Sequence, residues 1–540
     1  MNQSLYGRDQ DIDTGPISQG TQPQKVTLGP IIGKTTDTSA RVMLEFSQDG
    51  EEVLTLTAPD GQTHTCLRRF HANRPVVFQF NNLLPKTKYT VTSKYPFQCT
   101  SAFRTLSSGP DPINFAFLSC NSRKAAAGYH DKNNLWSDLG ARACSGQVDY
   151  IIHLGDQVYA DYCNDTYDRC MKLLKSHPKK DWPEIAVTVQ EMMREEYRQT
   201  WGGRLQAIAM ANCPNLMQFD DHEFRDDLGF RPEDTDPETP DGYYVQLMRD
   251  VYYEYQRQLR EDIDFSNLDA IKYEFHSHVI NNIGMFFVDY RGKGSWLRAP
   301  EKGQLGKLQW EALERALDPV NGEFKDCQLF IMVSTIPVVL YSHGWTRAVY
   351  RAVDDAQEEW AFEHQEEHAR FLDLMENWKR AGNEKREVFI VGGDVHHAGF
   401  TDILKGNHIV YSQMITSGVC QSGLGKVALF FSKLMMKTSH KVYGDWTFRH
   451  HDWTERNNYG LVSVTDPKNN TFSAQLITSK RHSTIRQEKP MFYNSHIAQY
   501  GQKAIKGKSS SRVFYYYLIN VILLLAFTYI VYIFFYKGKK

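Results

Sequence analysis

Two stretches of this chain end an apolar run on glycine and at once present metal-ligand chemistry. Tyr150–Ala160 reads YIIHLGDQVYA: a strand, Gly155, then Asp156 and Tyr159. Glu387–Phe400 reads EVFIVGGDVHHAGF: a strand of branched and aromatic residues, Gly392 and Gly393, then Asp394, His396 and His397. Short apolar runs bounded by glycine suit strands buried on both faces, as in an α/β sheet. Such sheets gather ligands in the crevice beyond the carboxyl ends of their strands. The pattern therefore predicts an α/β fold with a site at strand ends, where glycine lets the backbone turn tightly.

Two more strand ends fit this reading. Ile113–Cys120 (INFAFLSC) stops on Ser119 and Cys120, and Asn215–Phe219 runs into Asp220, Asp221, His222, Glu223, Asp226 and Asp227. Cysteine at a strand end is more often a small core residue than a ligand, but the polar Asn121-Ser122-Arg123 that follows favours a ligand. Acids crowded around one histidine directly after an apolar strand read as functional rather than as a solvated loop. The candidates are Cys120, Asp156, Tyr159, Asp221, His222, Asp226, Asp394, His396 and His397, of which His397 is expected to pack or to support the others.

Carboxylates at two strand ends point to a two-metal hydrolase. Metals about 3.5–4 Å apart can polarise a phosphoryl oxygen and produce hydroxide near neutral pH, and Asp156 is the expected bridging carboxylate. Thiolate and phenolate beside carboxylates favour iron, whereas an all-oxygen neighbour suits calcium or magnesium. His222, if un-ligated, would protonate the leaving oxygen with Asp221 beside it, and Arg291 would hold phosphoryl oxygens bidentately.

A chain of 540 residues exceeds one core and implies several domains. Residues 1–24 read as a disordered polar leader with no secretory h-region. Residues 25–106 are short β-like runs separated by turns, a small sandwich of the immunoglobulin or fibronectin III kind, with NNLLPKTKYTV resembling the fibronectin tyrosine turn. SSGPDP then leads into the α/β body over 113–480, and 481–512 reads as a linker. Val513–Tyr536 carries no charge and is long enough to cross about 30 Å of hydrocarbon, which predicts one C-terminal transmembrane helix. Without an export signal the catalytic body is expected in the cytosol. Within the long helix expected over Asp354–Arg380, His364 and His368 read as solvated surface. A formal charge of -2 with scattered Lys and Arg gives no nucleic-acid groove. Nine cysteines without a CxxC pair read as reduced thiols, with Cys163–Cys170 as the alternative bridge. Oligomeric state is not readable.

The segments FLSC, HLGDQVYAD, FDDHEFRDD, VDYRGKGSW, QLGKLQWEAL and GGDVHHAGF occur in an order that resembles the PhoD-like phosphatases (alkaline phosphatase D family), which are metallophosphoesterases. The likeness runs from Lys25 to Thr478. It implies a four-layer α/β/β/α metallophosphatase domain that hydrolyses phosphomonoesters and phosphodiesters at an iron–calcium site. By match, Cys120, Asp156 and Tyr159 look like the iron side, and Asp226, Asp394 and His396 look like the rest of the metal set. One position departs: family members resembling DDHEVEN carry Asn where this chain has Asp226. The added charge would change the second metal or its affinity, or this ligand is lost. The expected function is thus a membrane-anchored, metal-dependent phosphatase or phosphodiesterase working through a metal-activated hydroxide. The alternative is a catalytically silent membrane adaptor with a phosphatase-like fold.

Overall fold

The turn-punctuated N-terminal runs form seven strands: β1 (Val26–Thr35), β2 (Ala40–Phe46), β3 (Gly50–Thr57), β4 (Thr63–Phe70), β5 (Pro75–Phe80), β6 (Lys88–Thr92) and β7 (Ala102–Arg104). The structure is a computed structural model that describes residues 24–123, 134–161, 166–229, 231–292, 303–342, 364–383, 385–421, 441–479 and 491–494. The strands pair as β1-β2-β5 and β4-β3-β6-β7. They share a core that includes Ile32, Val42, Leu54, Phe78 and Tyr89. The Tyr89 hydroxyl accepts a hydrogen bond from the Leu84 amide at 2.8 Å, which explains the tyrosine in NNLLPKTKYTV.

The body holds two larger sheets. In the first, β8 (Ile113–Leu118), β9 (Tyr150–Leu154) and β10 (Asn215–Gln218) run parallel. Antiparallel β18 (Asn458–Asp466), β19 (Thr471–Thr478) and β20 (Met491–Asn494) extend it in the order β10-β9-β8-β18-β19-β20. The second sheet has the order β11-β12-β13-β14-β16-β15-β17. Its parallel members are β12 (Ile283–Phe287), β13 (Leu329–Val333), β14 (Glu387–Gly392) and β16 (His408–Ile415). The others are β11 (His276–Ile280), β15 (Ala398–Lys405) and β17 (Trp446–Thr454). Asn281 and Asn282 join β11 to β12, both at positive φ (48° and 66°), as a tight hairpin requires.

One core cluster takes residues from both sheets, among them Phe115, Ile152, Leu216, Ile331, Phe389 and Met414, so the sheets pack face to face. On the outer face of the second sheet, the helices Gly306–Ala316 and Gln365–Ala381 bury Trp310, Leu313, Phe371, Met375 and Trp378. Helices Leu135–Ser145 and Arg204–Asn212 cover the outer face of the first sheet. The order is helix, sheet, sheet, helix.

Two readings of the sequence change. His364 and His368 are buried at 5% and 3% exposure, because they share a helix face with Phe371, Leu372 and Met375 against the second sheet. The expected 481–512 linker contains β20, which pairs with β19; an uncovered edge strand offers unpaired backbone groups, and the apolar MFYN run takes them up. Eight cysteines are free in the structure, while Cys163 lies outside the described residues, as do residues 1–23 and the Val513–Tyr536 segment. Among the described residues no helix is long and apolar enough to cross a membrane.

The sandwich is tied to the body by buried charge. Glu45 of β2 is fully buried and meets Arg198 at 3.1 Å, the Tyr255 hydroxyl, and the Thr27 hydroxyl at 2.9 Å. Arg41 reaches the Gln258 carbonyl at 2.9 Å and Asp262 at 2.8 Å. Removing one partner of a buried pair leaves the other uncompensated, but Arg198 also has Glu191 and Glu195. Glu45→Ala should therefore cost about 3 kcal/mol, the low end for such a break. The check is the urea midpoint, and an unchanged midpoint would remove Glu45 from the account of stability.

Candidate metal centre

Parallel pairing puts the ends of β8, β9 and β10 side by side: Leu118 pairs with His153, and Leu154 with Gln218. Each chain then turns over the crevice. The two sheets meet there through Val419 N to Ser119 O at 3.0 Å and Cys420 N to Cys120 O at 3.2 Å. Gly393 sits at the junction. A Cβ on it would lie 2.8 Å from Thr335 O, 2.9 Å from Ser119 Oγ and 3.0 Å from Leu154 O, contacts from three strand ends. This glycine serves close approach rather than an unusual φ. The left-handed positions fall on the candidate ligands themselves: Cys120 (55°), Asp156 (57°), Asp394 (67°) and His396 (52°). Non-glycine residues, cysteine above all, adopt this conformation uncommonly, and such positions cluster at functional sites, held in place by their surroundings.

The side chains converge. Cys120 Sγ is 3.4 Å from Asp156 Oδ2, 3.3 Å from the Asp394 carbonyl and 3.1 Å from Ser417 Oγ. The Tyr159 hydroxyl donates to Asp156 Oδ2 at 3.1 Å and lies 3.4 Å from His396 Nε2. Ser417 Oγ also accepts from the His396 amide at 2.8 Å. Beside this group, ligand atoms of Asp156, Asp221 and His222 all lie within 4.8 Å of one another, and so do those of Asp161, His222 and Asp226. The His222 ring stacks on Tyr159 with centroids 4.2 Å apart, and its Nδ1 is 2.9 Å from Asp161. Arg291, 3% exposed, donates to Asp220 at 2.7 Å and to the Leu228 carbonyl at 3.1 Å. Leu340 and Ile415, with the partly buried Tyr341, Val395 and Trp453, form an apolar flank at the same end of the second sheet.

Negative charge is packed here beyond what the protein compensates. Burial, then Cys120, lift the Asp156 carboxyl well above the usual carboxylate range. The enclosed setting of Asp394, then Asp220 and Cys120, do the same to its carboxyl. Burial pushes Asp220 up to about 6 against the pull of Arg291. Asp221 goes the other way: burial opposes its charge, but Arg291 and His222 outweigh burial. Burial likewise opposes a charged His222, yet Asp221 and Asp156 raise its pKa well above the usual range. Asp156 Oδ1, Asp220 Oδ2 and Asp221 Oδ1 are buried without a hydrogen-bond partner among the described residues. Buried charge without partners is costly unless a cation is coordinated. Thiol, phenol, imidazole and carboxylate donors gathered at one place fit a metal group.

Residues 115–473 match the PhoD-like phosphatase family. The chain belongs to the PhoD-like phosphatases. It is therefore a hydrolase of phosphoric ester bonds. A solved structure of PhoD aligns with a TM-score of 0.58 over 89% of this chain and 90% of that one, at 13% identity, a likeness of fold. The structure of GAP50, described as the anchor in the inner membrane complex of Plasmodium, covers 76% of this chain and 94% of that one at 11% identity. Its TM-score of 0.32 carries no argument. No curated protein matches the sequence.

In this PhoD-like phosphatase, Cys120, Asp156, Tyr159 and His396 stand together, with Asp221 and His222 beside them. Asp226 is on the rim with a side chain 62% exposed, 3.8 Å from His222 Nε2. His397 is buried, its Nδ1 against the Val395 carbonyl and its ring by Trp453, as expected of a packing residue. Arg291 points into the acidic cluster. The sequence reading missed Asp161, Ser417 and Glu223. Asp161 follows Tyr159 by two positions in HLGDQVYAD, a visible signal. Ser417 carried none that separates it from ordinary polar loop residues, and Glu223 stood only as one of the acids crowded around His222.

The electrostatics set a pH dependence for the metal-free protein. Carboxyls raised in the folded state keep protons that the unfolded chain releases near pH 4, so folding stability falls as pH rises through their folded values. Asp156, Asp220, Asp394 and the raised His222 all act in this direction, while the lowered Asp221 changes stability only below about pH 4 and is neutral between pH 5.5 and 7.5. Chelated protein should melt lower at pH 7.5 than at pH 5.5, and added divalent metal should raise the melting temperature more at pH 7.5. Scanning fluorimetry at both pH values checks this, and a metal shift equal at the two would contradict it.

Proposed function

We propose that the chain hydrolyses phosphate esters, both monoesters and diesters, at a dinuclear metal centre while anchored to a membrane by Val513–Tyr536. The observation that carries the reading is the set of buried oxygens on Asp156, Asp220 and Asp221 that have no hydrogen-bond partner among the described residues, beside a thiol, a phenol and an imidazole. Cys120, Asp156, Tyr159 and His396 would hold iron, and Asp156, Asp394 and the Asp221–Asp226 loop would hold calcium, following donor softness. Bound metals of this kind polarise a phosphoryl oxygen and supply hydroxide near neutral pH.

The chain's own groups do the rest. His222 is braced by Asp161 at Nδ1, and against the effect of burial Asp221 and Asp156 push its pKa well above the usual imidazole range, the direction that suits a donor to a leaving alkoxide. Arg291 acts through the acid loop: its guanidinium fixes Asp220 and lies 3.8 Å from Asp221. Asp226 extends the site outward as a weaker, exposed contributor. The free cysteines of the described residues fit a body facing the reducing cytosol.

Purified protein should cleave bis(p-nitrophenyl) phosphate and lose the activity in chelator. Asp156→Ala should lower kcat/KM at least about 100-fold, the scale of losing a group that acts only in the transition state. His222→Ala should lower kcat by about 100-fold or more with a smaller effect on a p-nitrophenyl leaving group, which needs little protonation. Activity in Asp156→Ala equal to wild type would overturn the site. Protease treatment of sealed microsomes should digest the body, and its protection would place it in the lumen instead.

A further inference from the structure

We infer that Glu223 is the positioning residue of this centre, fixing the Asp156 turn and the Asp220–His222 loop as one unit. The inference rests on the metallophosphatase reading above. Glu223 is 1% exposed and its partners are amide N–H groups. One oxygen, Oε2, accepts from the Asp156 amide at 3.2 Å and the Asp220 amide at 2.9 Å, and so bridges the two strand-end loops. The other, Oε1, accepts from the Gln157 amide at 2.7 Å and from Gln256 Nε2 at 3.2 Å. Gln256 closes the helix Pro240–Tyr255 and donates also to the Tyr197 hydroxyl, which holds the carboxylate from behind.

The loops are close enough to need such a joint. A Cβ on Gly155 would fall 2.5 Å from the Cβ of Asp220, and Gly155 has φ +92°. Backbone amides aimed at one carboxylate hold Asp156 and Asp220 in register although their own carboxylates repel. Both Glu223 oxygens are taken up by protein donors, so the residue sets the spacing of the groups that would hold metal. Its chemistry is specific, since only an acceptor-only group satisfies four converging donors. The amide of Gln at this place would turn an NH2 towards either the loop bridge or the Gln157–Gln256 pair.

The test compares wild type, Glu223→Gln and Glu223→Asp with Mn2+ as the metal probe and bis(p-nitrophenyl) phosphate as substrate. Outer-shell partners of metal ligands typically carry 10–100-fold in affinity or activity, so Glu223→Gln should weaken Mn2+ binding and lower kcat by about that factor, with KM within about twofold. Glu223→Asp restores acceptors at shorter reach and should fall between. Should Glu223→Gln not fold, the Asp variant alone must still show weakened Mn2+ binding. A Glu223→Gln protein that melts lower yet binds Mn2+ and turns over like wild type would make the residue purely structural and overturn the inference alone. Wild type that neither binds Mn2+ nor hydrolyses the substrate would overturn the metallophosphatase reading and this inference with it.

Discussion

The structure turns on the mutual repulsion of carboxylates gathered at the largely buried strand ends of the two sheets. Asp220 and Asp221 oppose the ionisation of Asp156 and Asp394, and three oxygens of Asp156, Asp220 and Asp221 find no hydrogen-bond donor among the described residues. Arg291 and His222 offset part of this charge, enough to hold the Asp221 carboxyl below the usual range, whereas those of Asp156 and Asp394 stay well above it. A protein assembles such a cluster against its own stability only where a cation completes it. A phosphatase that needs a strong local positive field at its phosphoryl group has a use for that arrangement.

The convergence is enforced from below. The shared core between the sheets, with Phe115, Ile152, Ile331 and Phe389 fully buried, fixes how far apart the strand ends stand. Gly393 permits the final approach, and the left-handed backbone at Cys120, Asp156, Asp394 and His396 turns the ligands inward. Conformational cost at four positions is borne by packing elsewhere, which is the usual relation between a rigid scaffold and a strained site. The sandwich contributes at a distance: Arg41 holds the Gln258 segment, two residues beyond the Gln256 that supports Glu223.

Much of this was legible because strand ends announce themselves. An apolar run that stops at Gly155 or Gly392 and turns to Asp is a local signal, and each such run proved to be a strand ending at the site. The hairpin at Asn281-Asn282 and the Tyr89 corner were equally local. What escaped depended on partners distant in sequence. Glu223 reads as one acid among several, and only the fold shows that it faces amides from two loops. His364 and His368 looked polar enough for solvent, but the period of Phe371, Leu372 and Met375 carries them into the core. Gly393 was recognised for the wrong reason, since its role is space for Ser119 and Leu154, which no local pattern reveals. Arg291 was legible as a site candidate by type and position, while its burial against Asp220 was not.

Elemental analysis of the purified protein, set beside Asp156→Asn, tests the central claim most directly. A metal-completed carboxylate cluster predicts two metal equivalents per chain in wild type, iron among them, with both reduced in the variant. Wild-type protein that is folded, retains no metal and takes up none on reconstitution would contradict it.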